Sequence, residues 1–320
     1  MILLTGGAGF IGSCLLRKLN DEGIKDIIVS DNLSKEDKWK NLRGKIFHTY
    51  VDKNELFDFL ENNGVDDIEA IIHLGACSDT TEKDANYLLK NNYQFSQHLA
   101  SIAFENDIRF IYASSAATYG DGSNGYSDRI FHNLKPLNCY GFSKHIFDLW
   151  IIENKLDTNC VGFKFFNVFG PNEYHKGNMA SMVFKSFNQI SDTGRVKLFK
   201  SYKQEFANGE QKRDFVYVKD CVDIIYKTID NKEINGIFNL GTGTANSWNT
   251  LIKAVFSAMG RHPIIEYIDM PDNLKYQYQY FTVADINKLL EYFPNYEFTQ
   301  LEDAVADYVQ NYLLADDIYL

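Results

Sequence analysis

Long apolar runs, paired cysteines and a surplus of basic residues are all missing from this sequence. No apolar run approaches the length of a transmembrane helix, and the chain opens on an apolar segment without a charged leader region. The five cysteines are scattered without a CxxC pair, and the seven histidines show no metal-ligand spacing. We therefore expect a soluble cytoplasmic protein with free thiols and no metal centre.

The charge balance argues against nucleic acid or an anionic membrane as a partner. Lys and Arg number 32 against 43 Asp and Glu, so the formal net charge is −11. Binding to a phosphate backbone requires clustered basic residues, which would have to overcome this overall field. Any anionic ligand must therefore bind at a local basic site.

What the sequence does contain is a regular alternation of apolar runs with amphipathic stretches. This alternation predicts βαβ units and a parallel sheet with helices on both faces. The predicted strands are Ile2–Leu4, Ile27–Ser30, Ile46–Val51, Ile68–Leu74, Phe110–Ser114 and Cys160–Phe166. The expected fold class is α/β, a Rossmann doubly wound parallel sheet over residues 1–167 with a smaller C-terminal substrate lobe over 168–320. The two are interleaved, because a segment near 213–240 has the pattern of a returning strand and helix.

Polar residues interrupt these apolar patterns at a few points. A helix predicted over about Asp84–Glu105 contains the pair Asn91–Asn92, which must face a region that requires amides. Asp220 lies near the start of a helix and is expected to cap it or to serve as a first-turn acid. His73 ends an apolar strand and is interpreted as a core or pocket residue.

A glycine-rich turn follows the first strand, in the segment MILLTGGAGFIG. Glycine permits positive φ, lets backbone N–H groups approach a pyrophosphate and allows close packing of helix and strand. The helix N-terminus adds partial positive charge. Asp31 ends the next apolar run, at the distance expected for an acid that binds a ribose. The turn, formed by Gly6, Gly9 and Gly12, therefore predicts a dinucleotide site rather than an ordinary strand-to-helix connection.

A candidate catalytic set lies in two further segments. Tyr140 and Lys144 share one face of a helix that begins in CYGFSK. An ammonium beside a phenol favours the phenolate, so we expect a lowered pKa for Tyr140 and a usable proton shuttle. Ser115 follows the fifth strand, where open parallel sheets bind their ligands, and its hydroxyl can share a proton with a substrate alcohol. A Tyr-x-x-x-Lys pair alone would fit a solvated helix face; the accompanying motifs favour catalysis.

The whole chain resembles the extended short-chain dehydrogenase/reductase family of nucleotide-sugar enzymes. The resemblance lies in TGGAGFIG, HLGA around His73, SSAATYG, YGFSK, FNVFGP and RDFVYVKD, in family order. It implies a Rossmann fold and a bound nicotinamide dinucleotide. Dehydratases of the family place an Asp-Glu pair where this chain has Ala116 and Ala117, so elimination of water is not supported.

Within that family the chain is most similar to the ADP-L-glycero-D-manno-heptose 6-epimerases. LGACSDTTEKD, KPLNCYGFSK and above all GPNEYHKGNMAS carry this resemblance. It implies inversion of C-6 of an ADP-heptose by transient oxidation with bound NADP, which supplies the heptose of the lipopolysaccharide inner core. It also implies a cytoplasmic homo-oligomer, a pentamer in this family. Lys176 would be the second acid/base beside Tyr140, a role that requires a lowered pKa; chemistry alone leaves a phosphate-contacting or solvated lysine open.

The same resemblance implies two sets of binding residues. The cofactor set is Gly6, Gly9, Phe10, Ile11, Gly12, Asp31, Asn32, Lys38, Lys53, Leu74, Gly75, Ala76, Cys77, Ser78, Asn91, Lys144 and Val168. The substrate set is Asn167, Asn178, Lys185, Phe199, Lys200, Ser201, Tyr202, Arg213 and Tyr278. The planar guanidinium of Arg213 matches the oxygens of a diphosphate.

The choice between NADP and NAD depends on residues of opposite charge. Asp31 would repel a 2′-phosphate and favour the ribose hydroxyls of NAD. Lys38 and Lys53 match family positions that contact the adenosine phosphate, so NADP is predicted and NAD stays possible.

The chain departs from the family at a few places. Lys185 stands where the family commonly has histidine, the segment Lys203–Lys212 is longer than expected, and Leu274–Thr282 differs around Tyr278. Two alternatives stay open: another nucleotide-sugar epimerase, such as a UDP-hexose 4-epimerase, and a non-catalytic NADP-binding protein. The first gives no reason for the HKG-x-MAS block, and the second gives none for keeping Ser115, Tyr140 and Lys144 together.

Overall fold

Short, mostly buried strands build three sheets. The computed structural model describes residues 1–35, 37–272 and 278–320. Its strands are β1 (Ile2–Thr5), β2 (Ile27–Asp31), β3 (Thr49–Asp52), β4 (Ala70–His73), β5 (Arg109–Ser115), β6 (Cys160–Phe165), β7 (Asn167–Phe169), β8 (Val196–Phe199), β9 (Lys212–Tyr217), β10 (Gly236–Leu240), β11 (Ala245–Ser247) and β12 (Ile265–Ile268).

The central sheet has seven parallel strands in the order β10-β6-β5-β4-β1-β2-β3. The chain leaves β1 toward β2 and β3 and then returns to β4 on the other side of β1. The crevice between β1 and β4 is therefore the point where the strand order reverses, and ligands of doubly wound sheets bind there. The predicted α/β class with a parallel Rossmann sheet is confirmed.

Helices cover both faces of this sheet. The α-helices among the described residues are α1 (Phe10–Asp21), α2 (Leu56–Asn63), α3 (Ala85–Leu88), α4 (Phe95–Glu105), α5 (Cys139–Glu153), α6 (Met182–Thr193), α7 (Val218–Ile229), α8 (Trp248–Ala258), α9 (Asn287–Tyr292) and α10 (Leu301–Tyr308). Leu3 and Leu4 are both fully buried, yet they belong to different hydrophobic clusters. Because successive strand residues point to opposite faces, this alternation shows that each face has its own core.

After β6 the chain builds smaller sheets and then returns. Strands β11, β9 and β7 form a mixed three-stranded sheet, and β12 pairs with β8 in a parallel two-stranded sheet. Strand β10 then joins the central sheet beside β6, with Gly236 opposite Val161. Segments of the C-terminal half thus contribute to the same sheet as the N-terminal half.

The expected capping role of Asp220 is not what the structure contains. Asp220 lies in the first turn of α7, as the alternative prediction stated, but no side chain caps that helix. Its carboxylate instead accepts hydrogen bonds from the N–H (3.0 Å) and hydroxyl (2.8 Å) of Thr299. Asp220 therefore attaches the segment before α10 to α7, a contact between segments far apart in sequence.

Free thiols and the lack of a membrane-spanning segment were two further expectations. All five cysteine side chains are unpaired thiols, and Cys14, Cys160 and Cys221 are buried. Within the described ranges, no helix combines the length and the apolar character needed to cross a bilayer.

Candidate active site

The glycine-rich turn between β1 and α1 leaves no room for side chains. Gly6 has φ +71°, and a Cβ on it would lie 2.6 Å from the backbone nitrogen of Gly75. A Cβ on Gly12 would lie 2.1 Å from the carbonyl oxygen of Gly6. The turn closes through a hydrogen bond from the Gly9 N–H to that carbonyl (2.9 Å). Glycine is therefore required by the approach of β1, α1 and the segment after β4, and this close backbone cradle fits a dinucleotide.

A cavity of about 800 Å³ opens over this turn. All seventeen residues of the predicted cofactor set contribute to its wall. Ser115, Tyr140, Lys176 and Lys185 line the same cavity. One cleft thus brings together groups from many well-separated segments of the chain. The size is adequate for a large ligand, since ligand pockets commonly measure about 300–1,000 Å³.

At one end of the cavity, the carboxylate of Asp31 already accepts hydrogen bonds from the protein. One carboxylate oxygen accepts the N–H of Ala8 (2.9 Å), and the other accepts the N–H of Asn32 (2.7 Å) and the ammonium of Lys38 (2.5 Å). Lys53 lies in the same wall, where burial lowers the pKa of its ammonium. The acid that was expected to repel a phosphate is thus paired with one of the lysines expected to attract it.

The predicted need for amides is met at a π-helical turn over Leu89–Gln94, between α3 and α4. Asn92 is fully buried, accepts the N–H of Cys77 (2.9 Å) and donates to the carbonyl of Cys77 (2.9 Å). It also donates to the hydroxyl of Ser143. Asn91 accepts the ammonium of Lys53. The pair therefore fixes the segment after β4, which forms part of the cavity wall.

Ser115, Tyr140 and Lys144 meet where β5 ends and α5 begins. The Ser115 hydroxyl accepts the N–H of Ala117 (3.1 Å) and forms a hydrogen bond with Tyr140. The Lys144 ammonium donates to the carbonyl of Ala113 (2.9 Å). Asn138 caps α5 through the N–H of Gly141 (2.8 Å) and so fixes the helix turn that carries Tyr140.

The expected lowering of the Tyr140 pKa is wrong for this structure. Burial raises the pKa of the phenol, and the Ser115 hydrogen bond opposes that rise only in part. Lys144 does not offset the burial, because its ammonium is directed to a backbone carbonyl and is itself desolvated. Burial lowers the pKa of Lys144 to about 8, although the carboxylate of Asp148 acts in the opposite direction and raises that pKa.

A buried ion pair lies beneath this catalytic set. Lys164 on β6 and Asp148 on α5 are 2.8 Å apart with both side chains fully buried. Asp148 also accepts the hydroxyls of Ser114 (2.7 Å) and Tyr112 (3.1 Å), while Lys164 donates to Thr118 (2.7 Å). Sequence reasoning missed this network. The signal was a lysine inside the apolar run of a predicted buried strand, which requires a partner.

Lys176 lies on a 3₁₀ turn over Tyr174–Met179, in which Gly177 has φ 50°. Its side chain is half-buried, and its nitrogen lies 5.2 Å from the ring centre of Phe10. Burial lowers the pKa of Lys176, nearby Lys185 lowers it further, and Glu173 raises it. This is the direction expected for a lysine that acts as an acid/base.

A second cavity of about 370 Å³ adjoins the first and shares Ser115, Tyr140 and Asn167 with it. Arg213 and Tyr278 line it. The guanidinium of Arg213 lies 5.4 Å from the ring centre of Tyr278 and 5.7 Å from that of Trp248. This packing holds the guanidinium at the cavity wall, where its remaining N–H groups can meet an anion.

Five residues of the predicted substrate set do not line either cavity in the described part of the chain. Phe199 ends β8, where it pairs with Ile268 of β12, and residues 200–202 follow the strand; Lys200 pairs with Asp269 at 3.1 Å. Asn178 is exposed, and its carbonyl accepts the ammonium of Lys185 (2.7 Å). Of the divergent segment 274–282, residues 274–277 lie outside the described residues.

Asn41 is a connecting residue that sequence reasoning also missed. It is buried and donates to the carbonyls of Ala8 (2.9 Å) and Asn172 (3.1 Å). A further contact joins it to His175 (3.3 Å). The glycine-rich turn and the segment carrying Lys176 are thus joined through one amide.

Comparison with known proteins agrees with this geometry. Residues 2–241 match the NAD dependent epimerase/dehydratase family. The chain is 50% identical to an ADP-L-glycero-D-manno-heptose-6-epimerase of Nitratidesulfovibrio vulgaris (strain DP4) over all of both chains. It is also 50% identical to the protein of that name from Fusobacterium nucleatum subsp. nucleatum, again over all of both chains.

A solved structure is similar over nearly the whole chain. The ADP-L-glycero-D-manno-heptose-6-epimerase of Helicobacter pylori has 29% identity and a TM-score of 0.82, covering 97% of this chain and 95% of its own. The family match spans the glycine-rich turn, Tyr140 and Lys176 alike. The chain therefore belongs to the NAD dependent epimerase/dehydratase family.

Proposed function

We propose that this protein is an ADP-heptose 6-epimerase that interconverts the D-glycero and L-glycero forms of ADP-manno-heptose. The observation that carries the proposal is that Tyr140 and Lys176, from segments far apart in sequence, line one cavity together with the dinucleotide cradle. The full-length relatives that bear this name support the same substrate. The product would supply the heptose of the lipopolysaccharide inner core.

The cofactor is a nicotinamide dinucleotide, and we infer that it is NADP. When bound, it supplies a hydride acceptor and donor for C-6 of the sugar. Asp31 accepts three hydrogen bonds from the protein, one of them from Lys38, so its charge is partly offset. Lys38 and Lys53 then leave the adenosine end of the cleft suited to a 2′-phosphate.

Two acid/base groups suit an inversion at one carbon. The oxygen at C-6 occupies a different position in each epimer, so a single group would be poorly aligned for one half-reaction. We assign Tyr140, hydrogen-bonded to Ser115, to one face and Lys176 to the other. Ser115 holds the substrate oxygen, and Lys144 holds positive charge near the phenol. Arg213 contacts the diphosphate, and Tyr278 and Trp248 keep its guanidinium in place.

Further expectations go with this assignment. We propose residues 1–167 with the segment near 213–240 as the dinucleotide-binding unit, and the rest of 168–320 as the substrate lobe. Strand β10 in the central sheet supports this division. A cytoplasmic homo-oligomer, a pentamer as in the family that the chain resembles, is proposed with it, and light scattering of the purified protein tests the assembly.

The test of the proposal uses ADP-heptose labelled with deuterium at C-6. We expect epimerised product that keeps its deuterium and gains none from heavy water, because the hydride stays within the site. Tyr140→Phe and Lys176→Met should each lower turnover by about 10²–10⁴-fold, the range of general acid–base catalysis, with substrate binding largely retained. Exchange of the label with solvent, or full activity in Lys176→Met, contradicts the two-base assignment. Turnover of UDP-hexoses in preference to ADP-heptose favours the other epimerase.

A further inference from the structure

One buried carboxylate closes the segment that carries Lys176. Glu173 accepts hydrogen bonds from the N–H of Gly170 (3.4 Å) and from the hydroxyl of Ser181 (2.7 Å) through one oxygen. Its other oxygen accepts the N–H of Ser181. Its backbone carbonyl accepts the N–H of Lys176 (3.0 Å). A single residue therefore contacts the start of the segment, its end and the lysine itself.

Burial raises the pKa of the Glu173 carboxyl, and its hydrogen-bonding partners and Lys176 oppose that rise by favouring the charged form. The Glu173 side chain is fully buried, and its three hydrogen bonds all come from donors, which is the set that an ionised carboxylate accepts. Within the described parts of the chain, no basic nitrogen lies within 4.0 Å of it in an ion pair. A buried carboxylate without a direct ion pair is costly, so a cation acting at longer range contributes to its stability.

The titratable groups around Glu173 identify that cation. The pKa values of these neighbours respond to the carboxylate, and they lie on its own segment, on α1, α6 and α10: Cys14, Tyr174, Lys176, Lys185 and Tyr308. Burial raises the pKa of the thiol and of both phenols, so these three are neutral near pH 7. Only the two lysines can balance the charge, and Lys176 shares a turn with Glu173.

We infer that Glu173 is a positioning residue for Lys176. It holds the segment that carries Lys176 in place, and its negative charge favours the ammonium form of Lys176 inside a cleft that disfavours charged groups. The inference rests on the proposed acid/base role of Lys176. Burial alone shifts the lysine toward the amine, which accepts a proton but has none to give. With the carboxylate nearby, the same side chain can serve both directions of the epimerisation.

The test measures the titration of Lys176 itself, without turnover. Labelling with an amine-reactive anhydride over a range of pH, followed by mass spectrometry of the peptide containing Lys176, gives the midpoint at which the amine becomes reactive. In Glu173→Gln the side-chain shape is kept and the charge is lost. We expect the midpoint to fall by about one pH unit, because the loss of the carboxylate's charge disfavours the ammonium. kcat should fall about tenfold with KM little changed.

The chain offers a matched control in Asp220→Asn. Asp220 is also a buried carboxylate that accepts one N–H and one hydroxyl, both from Thr299, and it lines neither cavity. This variant loses a buried charge and the same kind of hydrogen bonds, so it reports the structural cost alone. We expect it to lower stability while leaving the Lys176 midpoint and kcat unchanged.

The outcomes separate this inference from the proposed function. An unchanged Lys176 midpoint in folded Glu173→Gln, or an equal shift in Asp220→Asn, overturns the inference. If Glu173→Gln does not fold, the test uses Glu173→Asp and Glu173→Asn instead. These two side chains have equal length and differ in charge, so equal Lys176 midpoints in the two variants also overturn the inference. The proposed function fails separately, if the Lys176→Met variant is active. That result does not change the shift of the Lys176 midpoint that Glu173→Gln produces.

Discussion

Tyr140 and Lys176 are displaced in opposite directions by the same cause. Burial penalises the charged form of each, so it raises the pKa of the phenol and lowers that of the ammonium. The neutral form of each group is therefore favoured, so the phenol can give a proton to a substrate oxygen and the amine can accept one. The phenol still requires help to ionise.

The two lysines at the adenosine end allow a prediction about cofactor choice. Replacing Lys38 and Lys53 together by alanine should weaken NADP binding by about 1.5–3 kcal/mol per lost charge-assisted contact, and NAD binding by much less. The freed carboxylate of Asp31 would then act against the 2′-phosphate. Titration calorimetry with both dinucleotides measures the difference.

Lys40→Ala serves as the control for this change. Lys40 pairs with Asp37 at 2.8 Å and does not line either cavity. It removes one positive charge from the same region, so it should change both affinities little. Equal losses for NADP and NAD in the double variant contradict the proposed phosphate contact.

Among the elements, the π-helical turn between α3 and α4 has the clearest function. Its extra residue per turn brings Asn92 to the backbone of Cys77, both of whose polar groups it satisfies. Asn92→Ala leaves a buried N–H and a buried carbonyl without that partner and should lower the free energy of unfolding by about 2–4 kcal/mol. Urea unfolding followed by circular dichroism measures the loss.

The comparison variant is Asn62→Ala on α2. Asn62 is exposed, and among the described residues its amide donates only to the carbonyl of Asp58 in its own helix. It should change stability by no more than about 0.5 kcal/mol. If both variants unfold at the same urea concentration, the amide at position 92 does not hold the cavity wall as described.

Element boundaries show what local pattern could and could not predict. Cys160–Phe166 was predicted as a strand, and β6 covers Cys160–Phe165, because an apolar run in a doubly covered strand is a strong signal. The third strand was predicted from Ile46, yet β3 begins at Thr49, and Ile46 is half exposed. Pairing with β2 decides where β3 starts, and local hydrophobicity does not contain that information.

Residues of the candidate site could likewise be predicted where local sequence decides their position, and could not where contacts between distant segments decide it. Residues next to a strand end or a glycine-rich turn were placed in the cleft because topology puts such positions at one edge of the sheet. The Asp148–Lys164 pair and the Glu173 bridge depend on contacts between distant segments, so neither could be read from spacing. Phe199–Tyr202 line neither cavity; Phe199 ends β8, which pairs with β12, a contact that spacing along the chain does not reveal.

The stability of the whole molecule should fall in acid because of one buried histidine. His73 on β4 contacts the hydroxyls of Thr5 (2.6 Å) on β1 and Ser96 (2.8 Å) on α4. Burial lowers its pKa to about 3, with Lys144 adding to the effect. An unfolded chain binds this proton below about pH 6.5, whereas the folded chain does not, so stability is lost as pH falls through that value.

The size of this effect follows from the linkage. Between pH 7.5 and 5.5 the wild type should lose about 1.3 kcal/mol more than His73→Gln, which cannot take up the proton. Urea unfolding at both pH values measures the difference. His262→Gln changes an exposed histidine and should behave as the wild type does. Parallel pH dependence in wild type and His73→Gln shows that other groups dominate acid sensitivity.

The return of β10 to the central sheet has a consequence for synthesis. Until Gly236–Leu240 emerge from the ribosome, β6 is an edge strand whose backbone N–H and carbonyl groups have no neighbour on one side. Apart from Lys164, that strand is apolar, with Val161 and Phe163 among its residues, and such an edge is a template for pairing with another chain. A nascent chain that stalls before residue 236 is therefore exposed to aggregation at this edge, and chaperones have most to protect during that interval.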